Sequence, residues 1–127
     1  LTNYAKLKYK YLDYCDLDDK TLSNVLYAIM IYRNSKRSKI LRNYDYFMFK
    51  LNGKMSKLSI MQVNTNRYIT DIEGINIVKE ELKEFVVTNS VTKGKKKKDI
   101  DYIGIIDSYC EEEAVYVKNI FEIIKKL

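Results

Sequence analysis

Residues 44–63 constrain the fold of this chain more than any other segment, because side chains alternate on both sides of a turn signal. Strict alternation over four to eight residues is typical of a β-strand. Asn52-Gly53 separates the two alternating runs, and both residue types tolerate the positive φ angles of a type I′ turn. The segment therefore predicts a β-hairpin around Asn52-Gly53, with strands over residues 46–51 and 57–63. A second turn at residues 64–66 would let residues 67–72 form a third antiparallel strand.

Apolar residues recur at helical spacing on either side of the predicted hairpin. Three such stripes predict helices over residues 19–33, 75–88 and 108–127. The acidic runs at 16–19 and 111–113 suit the N-terminal ends of the first and last helix, where carboxylates cap free N–H groups and offset the helix dipole.

Three further segments are less regular. Residues 5–12 alternate leucine or tyrosine with lysine, which favours a strand over the alternative, a helix. Residues 102–106 fit either a short buried strand or the start of the last helix. Residues 89–98 are polar and predict a flexible loop.

Together these elements predict an α+β fold, in which a small antiparallel sheet packs against two or three helices. Hydrophobic residues make up 46% of the chain and charged residues 31%, a balance typical of a globular protein rather than a disordered one. A chain of 127 residues fits a single domain, covering residues 1–127. Because the first residue is Leu1 and not methionine, we expect a fragment or processed piece of a longer polypeptide.

Several functional classes are disfavoured by composition. The chain contains no histidine, which removes Ser-His-Asp and Cys-His catalysis. Its two cysteines, Cys15 and Cys110, are too few for a disulfide scaffold, and free thiols in a reducing compartment, the cytoplasm or nucleus, are preferred to a bridge between them. The longest apolar run covers residues 25–32, well short of the roughly 20 residues that span a bilayer.

Two basic clusters supply the candidate functional residues. The first comprises Arg33, Lys36, Arg37, Lys39 and Arg42, and the second comprises Lys93, Lys95, Lys96, Lys97 and Lys98. Guanidinium groups bind phosphates in a bidentate manner, and closely spaced ammonium groups release counterions from a nucleic-acid backbone. If both clusters lie on one face, they form a single basic surface. An ordinary solvated loop is the alternative for each.

Carboxylates are candidate metal ligands, because a metal-dependent nuclease needs no histidine. Asp45, Asp71 and Glu73 fall at predicted strand positions, and Lys79 follows them. However, no Asp/Glu-x-Lys triplet lies on the second or third predicted strand. We therefore expect no metal site and no cofactor, and an enzyme is the least favoured class.

The sequence favours a non-catalytic module that binds RNA or DNA backbone through the two basic clusters, in agreement with a net charge of +6. The alternative is a protein-interaction module, such as a subunit of a larger assembly or a host-directed factor of a virus or parasite. Its contact surface would be exposed Tyr, Met and Ile side chains or a free sheet edge. Abundant Lys, Ile, Asn and Tyr are typical of an AT-rich genome, which weakens the lysine excess as a functional signal.

Overall fold

The computed structural model describes Lys6, residues 10–93 and residues 101–126, and for Leu12 and residues 89–93 it describes the backbone alone. The first half consists of helices α1 (Leu12–Cys15), α2 (Lys20–Lys36) and α3 (Lys39–Asn52), followed by strands β1 (Ser56–Leu58) and β2 (Val63–Thr65). The second half consists of helices α4 (Asp71–Lys93), α5 (Tyr102–Cys110) and α6 (Ala114–Ile124), with a 3₁₀ turn, Glu111–Glu113, before α6. The predicted α+β class is confirmed: a small two-stranded antiparallel sheet packs against helices in a mostly helical chain.

Helix α2 lies at the centre of the core. Residues 25–31 are buried without interruption, which means that α2 is covered on all sides. A helix that is apolar all round is expected to be buried in this way. Helices α4, α5 and α6 pack around it, and α6 makes the most extensive contact. No helix within the described ranges is both long and apolar enough to cross a bilayer.

The N-terminus of α2 confirms the role predicted for the acidic run. The Asp19 carboxylate accepts hydrogen bonds from the backbone N–H groups of Thr21 (3.0 Å) and Leu22 (3.2 Å). Such a cap satisfies two of the four N–H groups that an α-helix leaves without partners at its start. The helix predicted over residues 19–33 is therefore present, and it extends to Lys36.

The hairpin lies later in the chain than predicted. β1 pairs antiparallel with β2, with Lys57 opposite Asn64, and residues 59–62 form the turn. Asn52-Gly53 instead ends α3, because Gly53 adopts a left-handed conformation (φ 63°) and its N–H donates to the Phe49 carbonyl oxygen.

The predicted strands over residues 46–51 and 67–72 are wrong. The strand predicted over residues 57–63 is interrupted by the turn at residues 59–62, and the turn predicted at residues 64–66 is wrong because β2 covers residues 63–65. Residues 39–52 are helical, since Ser38 caps the N-terminus of α3 and apolar side chains also recur there every three or four positions. Helix α4 begins at Asp71 because Thr70 and Glu73 form a capping box. In it, each side chain accepts the backbone N–H of the other residue, at 3.1 and 3.2 Å.

Three other segments, for which a strand or a loop was predicted or left open, contain helix where the structure describes them. The strand predicted over residues 5–12 is wrong where the chain is described, since the backbone is helical at Lys6 and Lys10 and α1 begins at Leu12. Residues 102–106 begin α5, the second of the two alternatives, with Asp101 as its cap. The loop predicted over residues 89–98 is wrong as far as Lys93, where α4 ends, and residues 94–98 lie outside the described residues.

The helix predicted over residues 108–127 is present in two parts. Glu111 adopts a positive φ of 50° at the end of α5, and this breaks the helix before the 3₁₀ turn and α6. The helix predicted over residues 75–88 is confirmed and lies within the longer α4.

Helix α3 lies at the edge of the fold. Its inner side contacts β1, and a small apolar cluster of Phe49, Leu58 and Ile69 joins it to the hairpin. The hydroxyl of Tyr46 donates to the Ile69 carbonyl oxygen (2.7 Å) and accepts the N–H of Ser59 (3.1 Å). These contacts fix the helix against the hairpin and leave its opposite side facing solvent.

Candidate functional sites

The first basic cluster spans the junction between α2 and α3, and two of its arginines hold that junction together. The Arg37 guanidinium forms a bidentate pair with the Asp45 carboxylate, at 2.7 and 2.9 Å. Arg42 is only 8% exposed and donates to the Asn34 side-chain oxygen (2.5 Å) and the Arg37 carbonyl oxygen (2.8 Å). A phosphate would compete with these bonds for either guanidinium group.

Arg33 and Lys36 both approach Glu113, which follows far later in the chain. The Arg33 Nε lies 3.5 Å from one Glu113 oxygen, and the Lys36 Nζ lies 3.9 Å from the other. Arg33 also donates to the Met61 carbonyl oxygen at 3.0 Å, which ties α2 to the hairpin turn. Both distances to Glu113 exceed the 2.7–2.9 Å of a good charge-assisted hydrogen bond.

Three members of the first cluster share one cavity of about 500 Å³. The cavity is lined by Arg33, Lys36, Arg37, Asp45, Ser56, Lys57, Gln62 and Glu113. Four of these side chains are cationic and two are acidic, so the lining has two positive charges in excess. This space is called the basic cavity below.

The remaining predicted binding residues lie elsewhere. Lys39 is exposed at the start of α3 and does not line the basic cavity. The backbone of Lys93 ends α4, while Lys95, Lys96, Lys97 and Lys98 lie outside the described residues. That the two clusters form one surface therefore stays a prediction.

The carboxylates weighed as metal ligands serve separate structural purposes. Asp45 pairs with Arg37, the Glu73 carboxylate accepts the Thr70 N–H in the capping box of α4, and Asp71 accepts hydrogen bonds from Ile60 and Tyr11. Among the residues that the structure describes, no three Cys, Asp or Glu side chains are grouped closely enough to hold a metal ion.

Helix α3 carries large apolar side chains on two opposite sides. Phe49 faces the hairpin and is 8% exposed. On the other side, Ile40, Tyr44, Phe47 and Leu51 are 81%, 56%, 58% and 65% exposed. Their spacing of four, three and four residues aligns them along the helix. This stripe is called the outer face of α3 below.

Lysines lie along one side of the outer face of α3 and just beyond its C-terminal end. Lys39, Lys50 and Lys54 are exposed, and none forms an ion pair with any part of the chain that is described. The Lys50 Nζ lies 5.6 Å from the centre of the Tyr68 ring, which is itself half exposed. Asp45 is the one acidic residue of α3, and Arg37 neutralises it. The outer face is therefore an apolar stripe with a basic rim.

Sequence reasoning missed the outer face of α3 and five of the eight residues that line the basic cavity, among them the charged residues Lys57 and Glu113. The signal for the outer face was present in the 4-3-4 spacing of its residues, but the alternation of residues 46–51 was interpreted as a strand. Glu113 was assigned to the helix dipole, and Lys57 was assigned to a strand. No local pattern brings either residue next to Arg33.

No protein-family model matches the chain, and neither a curated protein nor a solved structure was found to match it. Function therefore has to be inferred from the chemistry of these two surfaces.

Proposed function

We propose that this protein is a non-catalytic protein-interaction module whose outer face of α3 binds an amphipathic helix of a partner protein. The observation that carries the proposal is the exposure of Ile40, Tyr44, Phe47 and Leu51 along one side of one helix. Isolated exposed apolar residues are ordinary, whereas a contiguous apolar patch marks an interaction site.

The arrangement of α3 supports a helical partner. A surface helix normally turns its apolar stripe towards the core, whereas the stripe of α3 faces solvent and the hairpin covers only the opposite side of the helix. A helix of this length extends about 21 Å, and its anchor residues follow the i, i+4, i+7, i+11 spacing of helix-to-helix recognition. A second helix laid along α3 would cover all four anchors at once.

Charge complementarity indicates the chemistry of the partner. Lys39, Lys50 and Lys54 form a rim without acidic partners in the described structure. A partner helix with acidic residues beside its apolar stripe would neutralise this rim and would associate faster. A second copy of this chain brings the same lysines and a net charge of +6, which opposes self-association.

Two synthetic helical peptides test the proposal by fluorescence anisotropy. Both carry leucine at the apolar heptad positions, but one carries glutamate and the other lysine at the flanking positions. We expect the acidic peptide to bind about tenfold more tightly, because three exposed ion pairs of about 0.5 kcal/mol each sum to the roughly 1.4 kcal/mol of a tenfold change. Equal binding of the two peptides would refute the acidic partner, and binding of neither would refute the interaction face.

Variants connect the binding to the outer face of α3. Phe47→Glu places a charge in the middle of the stripe and should abolish binding of the acidic peptide. Val115→Glu is the matched control, because Val115 is also exposed (62%) but lies on α6. Binding of the protein to anionic phosphatidylglycerol vesicles is measured separately. Phe47-dependent binding to vesicles without binding to the peptide would replace a protein partner by a membrane surface.

A second candidate function is the binding of RNA or DNA. It is favoured by the convergence of Arg33, Lys36 and Lys57 on the basic cavity, while the internal bonds of Arg37 and Arg42 reduce its support. Retention on heparin or generic RNA that weakens steeply with salt would support it, since released counterions drive such binding. Retention that is unchanged when residues 95–98 are replaced by serine would contradict the predicted second cluster.

A further inference from the structure

Five separate segments meet at the basic cavity. Arg33 and Lys36 come from α2, Asp45 from α3, Lys57 from β1, Gln62 from the hairpin turn, and Glu113 from the 3₁₀ turn. Small-molecule sites typically enclose about 300–1,000 Å³, and the cavity of about 500 Å³ lies within that range. From this convergence we infer that the basic cavity binds a small phosphate-bearing molecule, a function separate from the proposed docking of a partner helix.

The charges of the cavity leave donors for an incoming anion. Asp45 is fully engaged by the bidentate pair with Arg37. Glu113 is shared between Arg33 and Lys36, at 3.5 and 3.9 Å. Both distances are longer than those of a good charge-assisted hydrogen bond, so each cation can still bind an incoming anion.

Lys57 adds a cation without an internal partner. Its side chain is exposed and makes no ion pair or hydrogen bond within the described ranges. A phosphate monoester carries a charge of about −1.5 to −2 at neutral pH, which matches the two excess positive charges of the lining. Neutral or cationic molecules would leave this excess uncompensated.

The walls of the cavity are held in place before any ligand arrives. Gln62 adopts a positive φ of 52° and donates from its side chain to the Ser59 carbonyl oxygen at 3.0 Å. Glu111, with φ 50°, redirects the chain two residues before Glu113. Positive φ at residues other than glycine persists where the surroundings enforce it, and such positions concentrate at functional sites. The hydrogen bond from Arg33 to the Met61 carbonyl oxygen holds α2 against the hairpin turn at this cavity.

An NMR titration of ¹⁵N-labelled protein tests the inference. The probes are pyrophosphate, ATP, adenosine and a short single-stranded RNA. We expect pyrophosphate and ATP to shift the amide signals of Lys57, Gln62 and Glu113, with affinities that fall as salt is added. Adenosine, which lacks phosphate, should shift none of them. The absence of shifts at these amides with both phosphates would overturn the inference.

The titrations with ATP and RNA distinguish a small phosphate-bearing molecule from a nucleic acid as the ligand of the cavity. If RNA shifts the cavity amides and excess pyrophosphate fails to displace it, the site belongs to a nucleic acid and the inference is wrong. Stronger binding of ATP than of pyrophosphate would identify an organic phosphate, and equal binding would identify the phosphates alone as the recognised group. Both of these results support the inference.

Lys57→Ala and Lys54→Ala form a matched pair of variants. Both lysines are exposed and lie close together in the chain, but only Lys57 lines the cavity. Lys57→Ala should weaken pyrophosphate binding about tenfold, the loss expected for one charge-assisted hydrogen bond, and Lys54→Ala should leave it unchanged. Equal effects of the two variants would contradict the site.

Glu113→Gln provides a test in the opposite direction. Because Glu113 competes with the ligand for Arg33 and Lys36, its neutralisation should tighten pyrophosphate binding severalfold. Weaker binding by this variant would overturn the inference. Binding of the acidic peptide depends on Phe47 and not on Lys57, so failure of one proposal is distinguishable from failure of the other.

Discussion

The carboxylate of Asp71 accepts a hydrogen bond of 2.7 Å from the backbone N–H of Ile60, so the first residue of α4 holds the turn of the hairpin. Its second oxygen accepts the Tyr11 hydroxyl at 3.2 Å, and its carbonyl oxygen accepts the Ser59 hydroxyl at 3.2 Å. One residue therefore connects the hairpin turn, α4 and the segment before α1.

Asp71→Ala should lower the free energy of unfolding by about 2–3 kcal/mol. Ile60 is almost fully buried, and its N–H would lose its acceptor without gaining water. Urea unfolding followed by circular dichroism measures the change. Asp13→Ala, at an exposed carboxylate of α1, should stay within about 0.5 kcal/mol of the wild type.

A double-mutant cycle with Tyr11→Phe isolates the hydroxyl bond. We expect a coupling energy of about 1 kcal/mol between Tyr11 and Asp71, typical of residues in direct contact. Additive effects of the two substitutions would show that this bond does not stabilise the fold.

Gly74→Ala should destabilise the protein by about 1–3 kcal/mol, the usual effect of overpacking. A Cβ at Gly74 would lie 1.9 Å from the Ser59 hydroxyl oxygen and 2.4 Å from the Ser59 Cβ. The double variant Gly74→Ala/Ser59→Gly should recover part of the loss, because it removes the clash and glycine suits the positive φ of 74° at Ser59. Equal stability of the single and double variants would refute the close approach.

Phe47 and Phe49 distinguish the helix from the strand that their alternation predicted. A strand places both rings on one face, whereas residues two apart in a helix point about 200° apart. Phe49→Ala should therefore lower the free energy of unfolding by about 3–5 kcal/mol, and Phe47→Ala by less than about 1 kcal/mol. Similar losses for the two variants in urea unfolding would contradict the helical α3.

The same pair shows which parts of the fold could be predicted. Helix α2 was predictable because its acidic cap and its apolar stripe agree. Helix α3 was not, because a helix with two apolar sides places an apolar residue at every second position and so resembles a strand. The α+β class was nevertheless predicted correctly, since the real hairpin lies only a few residues further along the chain.

The position of the hairpin and the basic cavity depend on distant contacts. Tyr46, Asp71 and Gly74 fix the turn of the hairpin through side chains that no local pattern connects to it. The cavity likewise needs Glu113 beside Arg33, which the packing of α6 on α2 provides. Local periodicity carries no information about such pairs.

The two cysteines should be unreactive in the folded protein. Both are free and buried, and burial raises the pKa of the Cys15 and Cys110 thiols to about 12. Because the thiolate is the reactive form, its fraction at pH 8 falls about a thousandfold relative to a free cysteine. Ellman's reagent should therefore label neither thiol in native buffer and both in urea. Rapid labelling of the native protein would contradict the burial of these residues.

Stability should fall in the alkaline range. Burial, with Asp71 as the next cause, raises the pKa of Tyr11 and of Tyr46 to about 12, while a tyrosine in the unfolded chain titrates near 10. Between these values the unfolded chain has released phenolic protons that the folded protein still binds, so the free energy of unfolding decreases as pH rises. Below about pH 9 both states are protonated at these tyrosines, and their contribution is constant.

Urea midpoints measured from pH 8 to pH 12 test this dependence. Tyr46→Phe removes one of the buried phenols, so its midpoint should be lower at pH 8 but should decline less steeply above pH 10. Tyr44→Phe is the matched control on the same helix, because the Tyr44 side chain is exposed, and it should decline like the wild type. If Tyr46→Phe also declines like the wild type, the buried phenol of Tyr46 is not a source of the alkaline loss. The loss would then have to come from the other groups whose pKa is raised to about 12, which include Tyr11, Tyr27, Tyr102 and the two thiols.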